Sequence, residues 1–76
     1  MNLAELKSGM QAEIAETDPS QPGVVRLMVL GLVEGAPVSL RNTAIGGDPM
    51  EICVHGTSIS VRLEQARHFR LKLLSS

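Results

Sequence analysis

Apolar residues follow a two-residue period over much of the chain. Residues 10–17, MQAEIAET, place Met10, Ala12 and Ile14 on one side of the chain, the alternation of a half-buried strand. The same alternation returns in four later segments: PVSLRN (37–42), MEICVH (50–55), SISVRL (58–63) and HFRLKLL (68–74). The pattern therefore predicts five short strands.

Three other segments predict helix. NLAEL (2–6) has apolar residues three apart and Asn2 as a cap, and LEQA (63–66) is typical of a single turn. Residues 24–33, VVRLMVLGLV, are apolar or glycine except for Arg26. Their leucines and methionine favour a helix of two to three turns, ended by Gly31 or Gly35.

The connections between these segments are short. DPSQPG (18–23) predicts a surface loop, GGDP (46–49) a turn, and HGT (55–57) a tight hairpin between antiparallel strands. We therefore predict a mainly β fold: a small SH3-like antiparallel barrel of about five strands with one short helix and one or two helical turns.

Composition narrows the class of protein. With 76 residues, 43% of them hydrophobic, and a net charge of −1, the chain predicts a single domain over residues 1–76. Seven basic against eight acidic residues and a single Phe argue against a nucleic-acid partner. Residues 24–33 are about half as long as a membrane span, so we expect no membrane insertion. Cys53 is the only cysteine, and the N-terminal segment carries charges and does not resemble a signal peptide. Both features predict a cytoplasmic location.

Glu51, Cys53 and His55 are candidate metal ligands, because they alternate along one predicted strand and face away from the core. Alternate strand residues stand about 6.5–7 Å apart, whereas zinc ligands lie about 2.0–2.3 Å from the metal. A site on one strand therefore needs further ligands from elsewhere in the chain, and no second cysteine offers one.

We predict no resident cofactor. Nucleophilic catalysis needs a base within hydrogen-bond reach of a Ser or Cys, and the two histidines are scattered along the sequence. We therefore predict that the protein is not an enzyme.

The apolar run at residues 24–33 is the strongest candidate for a binding surface. A helix on a small barrel buries only about half of its circumference, and exposed apolar area commonly marks a protein partner. The alternative is that the barrel buries nearly all of the run. The predicted partner-binding residues are Arg26, Leu27, Met28, Val29, Leu30 and Leu32.

The order of these segments resembles the ferrous iron transport protein A (FeoA) family over residues 3–73. Three stretches carry the similarity: LAELKSGMQAEI, RLMVLGLVEGAPVSL and GGDPMEICVHGTSISVRLEQA. They contain the family's R-L-x-x-L-G-L-x-x-G helix, its G-D-P turn and an ending like L-R-x-x-E-A. The chain departs from the pattern at Glu34, where members often carry proline, and at Glu64, which is displaced by one residue.

The resemblance implies an SH3-like barrel in the cytoplasm that assists the membrane ferrous iron permease with its GTPase domain, with weak self-association left open. The alternative is a metal-binding or metal-sensing module that resembles the C-terminal domain of iron-dependent repressors. A third hypothesis is regulation of GTP hydrolysis, with Arg26, Arg62 or Arg67 reaching toward phosphate.

Overall fold

A single antiparallel sheet of five strands dominates the computed structural model, which describes residues 1–74. The strands are β1 (Gln11–Thr17), β2 (Pro37–Thr43), β3 (Met50–Val54), β4 (Thr57–Val61) and β5 (Phe69–Leu73). Their order across the sheet is β4-β3-β2-β1-β5. The predicted mainly β class is confirmed.

Irregularities in two strand pairs allow the sheet to curl. The register of β1 against β5 shifts between Ile14 and Glu16, and that of β2 against β3 shifts between Leu40 and Asn42. Such bulges bend a strand and increase its twist. The sheet can therefore wrap its apolar face around one core instead of remaining flat.

The core contains apolar side chains from every strand. The inward residues Met50, Ile52 and Val54 of β3 are buried as predicted, and the alternation is clearest in this strand. Ile59 and Val61 of β4 are buried too, but Leu63, predicted to end that strand, begins the second short helix instead and is half-buried. The largest fully buried side chains are Phe69, Leu3, Ile14, Leu27, Leu32, Met50, Ile52, Val24, Val54 and Val61. Every buried side chain between residues 1 and 74 is hydrophobic, so apolar burial is the main stabilising term.

Three short helical elements lie where the sequence predicts them. The first is a 3₁₀ turn at Leu3–Glu5, where the Asn2 side chain accepts a hydrogen bond from the Ala4 amide at 2.9 Å. The others are α1 (Val24–Val29) and α2 (Leu63–Ala66). A further 3₁₀ turn, Ile45–Gly47, lies in the connection between β2 and β3. α1 is shorter than the predicted two to three turns, and it ends at Gly31, one of the two glycines predicted to end it.

β3 and β4 form the predicted tight hairpin, with Val54 directly opposite Thr57. His55 and Gly56 make the turn, with φ angles of 51° and 76°. Positive φ at both central residues is the mark of a type I′ turn, whose twist matches that of the strands. The prediction that His55 lies on the strand is therefore wrong: β3 ends at Val54.

Candidate interaction surface on helix α1

A Schellman motif ends α1. The amide of Gly31 donates to the carbonyl of Met28 at 3.0 Å, and the amide of Leu32 donates to the carbonyl of Leu27 at 3.1 Å. Gly31 has a φ of 123°, which an L side chain rarely adopts. This reversal of the chain typically brings the residue after the glycine back against the last helical turn.

The reversal places Leu32 in the core together with Leu27. Their exposed fractions are 0% and 1%. Neither side chain is available to another protein, so the prediction that Leu27 and Leu32 contact a partner is corrected. A helix that continued past residue 30 would give the Leu32 side chain the wrong direction, because the backbone reverses at Gly31.

Four other apolar side chains of the same segment are exposed. Val25 and Val29 lie one helical turn apart, Leu30 caps the helix, and Val33 follows the reversal. Val29 is 80% exposed, and the other three side chains are at least two-fifths exposed. We call Val25, Val29, Leu30 and Val33 the α1 patch. Sequence reasoning identified Val29 and Leu30 but missed Val25 and Val33.

Arg26 and Met28 lie beside the α1 patch. Arg26 is exposed. It precedes Val29 by three positions and Leu30 by four, so it lies on the same helix face as both. Met28 is half-buried, and its sulfur accepts a hydrogen bond from Thr17 Oγ1 at 3.7 Å. Arg26 thus offers a charged rim to the patch, while Met28 connects it to β1.

The three candidate metal ligands are not gathered into a site. Glu51 and Cys53 are half-buried on β3, and Cys53 lies opposite Ser39 of β2 and Ser58 of β4. His55 is in the hairpin turn, close to the position that a Cβ on Gly31 would occupy. Among residues 1–74, no group of three or more His, Cys, Asp or Glu side chains could hold a metal ion.

A surface depression lies where the end of β1 meets the start of β5. Its volume is about 430 Å³, and it is lined by Glu16, Thr17, Asp18, Arg67, His68 and Arg70. Glu16 and Arg70 approach within 3.7 Å, and both are well exposed, so the pair contributes little to stability. Hydrogen bonds from the Ser20 hydroxyl and amide lower the pKa of Asp18. Acidic and basic groups offset one another here, which favours neither cation nor anion.

The apolar run does not form a membrane span. No helix in the described part of the chain has the length and hydropathy needed to cross a bilayer.

Residues 1–72 match the family model for the FeoA domain. No curated protein matches the chain significantly.

Solved structures agree with the family model. The FeoA protein of Chlorobium tepidum is 35% identical, with a TM-score of 0.86 over 99% of this chain and 71% of its own. A zinc complex of the FeoA protein from Stenotrophomonas maltophilia, a prokaryotic SH3-domain protein, is 25% identical, with a TM-score of 0.81 over 95% and 89%. Iron(II) transport protein A of Clostridium thermocellum shares the fold, with 24% identity and a TM-score of 0.89 over 97% and 46%.

These comparisons and the five-stranded sheet define a small SH3-like protein with an apolar patch on one helix. The chain belongs to the FeoA family, as the order of its sequence motifs predicts. The family is one of accessory proteins linked to ferrous iron transport.

Proposed function

We propose that this chain is a cytoplasmic accessory protein of ferrous iron uptake that binds the membrane Fe(II) permease, with its GTPase domain, through the α1 patch. The observation that carries the proposal is the exposure of Val25, Val29, Leu30 and Val33 on one short segment. A small domain with little apolar material gains stability from burying it, so an exposed apolar cluster is better explained by a partner.

The exposure of the patch supports a protein partner over a small molecule. Val24 and Leu27 of α1 are buried in the core, whereas the four patch side chains are exposed to solvent. Small-molecule sites are usually concave clefts, whereas an apolar centre with a charged rim is typical of protein interfaces. Arg26 provides such a rim, and an acidic group of the partner could pair with it.

Relatives support the transport context. The Stenotrophomonas maltophilia protein has been described as a possible bacterial ferrous iron transport activating factor. We infer the same type of role for this chain: it supports or activates the permease and catalyses no reaction itself.

Metal sensing is a second candidate function, favoured by the zinc complex of that relative. In this chain Glu51 and Cys53 share a strand face, but His55 turns away in the hairpin. Metal binding by these residues would need further ligands from another molecule.

A pull-down tests the permease proposal. The immobilised chain is mixed with the soluble GTPase domain of the permease, with and without a GTP analogue. We expect retention by the unchanged protein and loss on the order of tenfold for Val29→Glu, because buried apolar anchors dominate interface energy. Ile45→Glu is the matched control, since Ile45 is a fully exposed apolar residue outside the patch.

Two results would contradict the proposal. One is the absence of retention in either nucleotide state, and the other is equal retention of the Val29→Glu variant and the unchanged protein. If one equivalent of Fe²⁺ or Zn²⁺ raises the melting temperature instead, the metal-sensing alternative gains support.

A further inference from the structure

The two edge strands of the sheet are covered differently. At β5, the Leu71 amide donates to the carbonyl of Met1 at 2.8 Å, and Asn2 pairs with Arg70 in an isolated antiparallel bridge. At β4, residues 57–61 pair with β3, and no other hydrogen bond from residues 1–74 reaches their backbone. β4 therefore ends the sheet with an open row of backbone groups, which can pair with another strand.

Ser58 and Ser60 carry the open backbone groups. Val54 and Thr57 flank the two-residue turn and exchange hydrogen bonds with each other. Bonded and non-bonded pairs alternate along an antiparallel ladder, so the N–H and C=O groups of Ser58 and Ser60 point away from β3. Both serine side chains are exposed and small, and they leave the edge accessible.

β4 lacks the features that usually protect an edge strand. Its sequence, TSISV, contains no charged residue and no proline, and both usually prevent edge-to-edge pairing. If two copies pair about a two-fold axis centred on Ile59, Ser58 of one copy faces Ser60 of the other. Arg62 then faces Gly56, so no like charges lie opposite each other.

We propose that a second copy of this chain occupies the β4 edge by antiparallel β4–β4 pairing centred on Ile59. In this register each serine pair exchanges both of its hydrogen bonds, and the sheets of the two copies become continuous. A ladder of five residues buries less area than the roughly 1,200 Å² of a stable interface, so the dimer is weak and forms at raised protein concentration. This edge is separate from the α1 patch, and the inference does not depend on the permease.

Sedimentation equilibrium over a concentration series, combined with hydrogen exchange, tests the proposal. We expect a monomer–dimer equilibrium in which exchange of the Ser58 and Ser60 amides slows on the order of tenfold as the dimer forms. Ser60→Lys abolishes the dimer by placing like charges close together at the interface. Ser60→Pro does so by removing an outward amide that β3 does not use.

Control variants keep the result interpretable. Ser20→Lys adds the same charge in the exposed loop before α1 and should dimerise like the unchanged protein. Circular dichroism verifies the fold of each variant, and the lysine variant decides the outcome if the proline variant unfolds.

Three results would overturn the proposal: a monomer at every concentration, a dimer that Val29→Glu abolishes and Ser60→Lys does not, or amide protection that arises only when the GTPase domain of the permease is added. The last would assign the edge to a strand of another protein.

Discussion

Asp48 and Leu63 are joined by a hydrogen bond across fifteen residues of sequence. Asp48 Oδ1 accepts from the Leu63 amide at 3.1 Å. Leu63 is the first residue of α2, and the preceding residue, Arg62, provides no side-chain cap. Asp48 therefore acts as a distant N-cap that fastens the connection between β2 and β3 to α2. The sequence identified the G-D-P turn but not the hydrogen bond between Asp48 and Leu63.

We predict that Asp48→Ala lowers the free energy of unfolding by about 1 kcal/mol, the usual cost of losing a helix cap. Asp48→Asn keeps an acceptor oxygen and should lose less. Urea unfolding measures both values. Equal stability of the alanine variant and the unchanged protein would show that the hydrogen bond contributes nothing, and an equal loss for asparagine would assign the effect to charge instead.

The reversal at Gly31 predicts opposite outcomes for two neighbouring leucines. Leu32→Ala should cost about 2–5 kcal/mol, because it opens a cavity at a fully buried position. Leu30→Ala should cost less than about 1 kcal/mol, since Leu30 is 49% exposed. Thermal unfolding compares the two variants directly. Similar losses for both would contradict the assigned end of α1.

The hydrogen bonds from Ser20 to Asp18 predict a pH-dependent contribution to stability. They lower the pKa of Asp18 in the folded protein, so the carboxylate stabilises the fold above its unfolded pKa. The contribution is lost as the pH falls through the folded pKa, which lies below the ordinary carboxyl value of about 3.9. We expect Ser20→Ala to melt slightly lower than the unchanged protein at neutral pH, and the difference to vanish in strong acid. A difference that grows with acidity would have the wrong sign.

The separation of the candidate metal ligands predicts a mild phenotype. A variant with both Cys53→Ser and His55→Ala should support ferrous iron uptake within a few fold of the unchanged protein, because His55 lies in the turn and not beside Cys53 on β3. Uptake by cells that lack their own copy measures this. Complete loss of uptake with a folded protein would mean that these residues bind metal in the working complex.

Much of the fold could be predicted because apolar alternation has the same period as a strand. Met50, Ile52 and Val54 are buried as expected, and the short H-G connection correctly predicts a hairpin. His55 was misplaced because alternation continues through the residue at which the backbone turns. The predicted hairpin turn begins at His55, whose positive φ removes it from the strand.

The sequence locates the candidate surface but does not show which of its residues are exposed. The apolar run has no polar face, so periodicity alone does not distinguish the buried side from the exposed side. A usable signal was present in the Schellman pattern, in which Gly31 is followed by apolar Leu32 and preceded by apolar Leu27. It predicts that Leu27 and Leu32 pack together, which leaves Val25 and Val29 to solvent.

Ferrous iron uptake by cells that carry the Val29→Glu variant is the most direct test of the α1 patch as a docking surface. Because Val29 is already exposed, a charge there should leave the melting temperature within about 5 °C of the unchanged protein, yet abolish uptake support. Ile45→Glu, the matched exposed position, should preserve both. Normal uptake with a folded Val29→Glu protein would contradict the account.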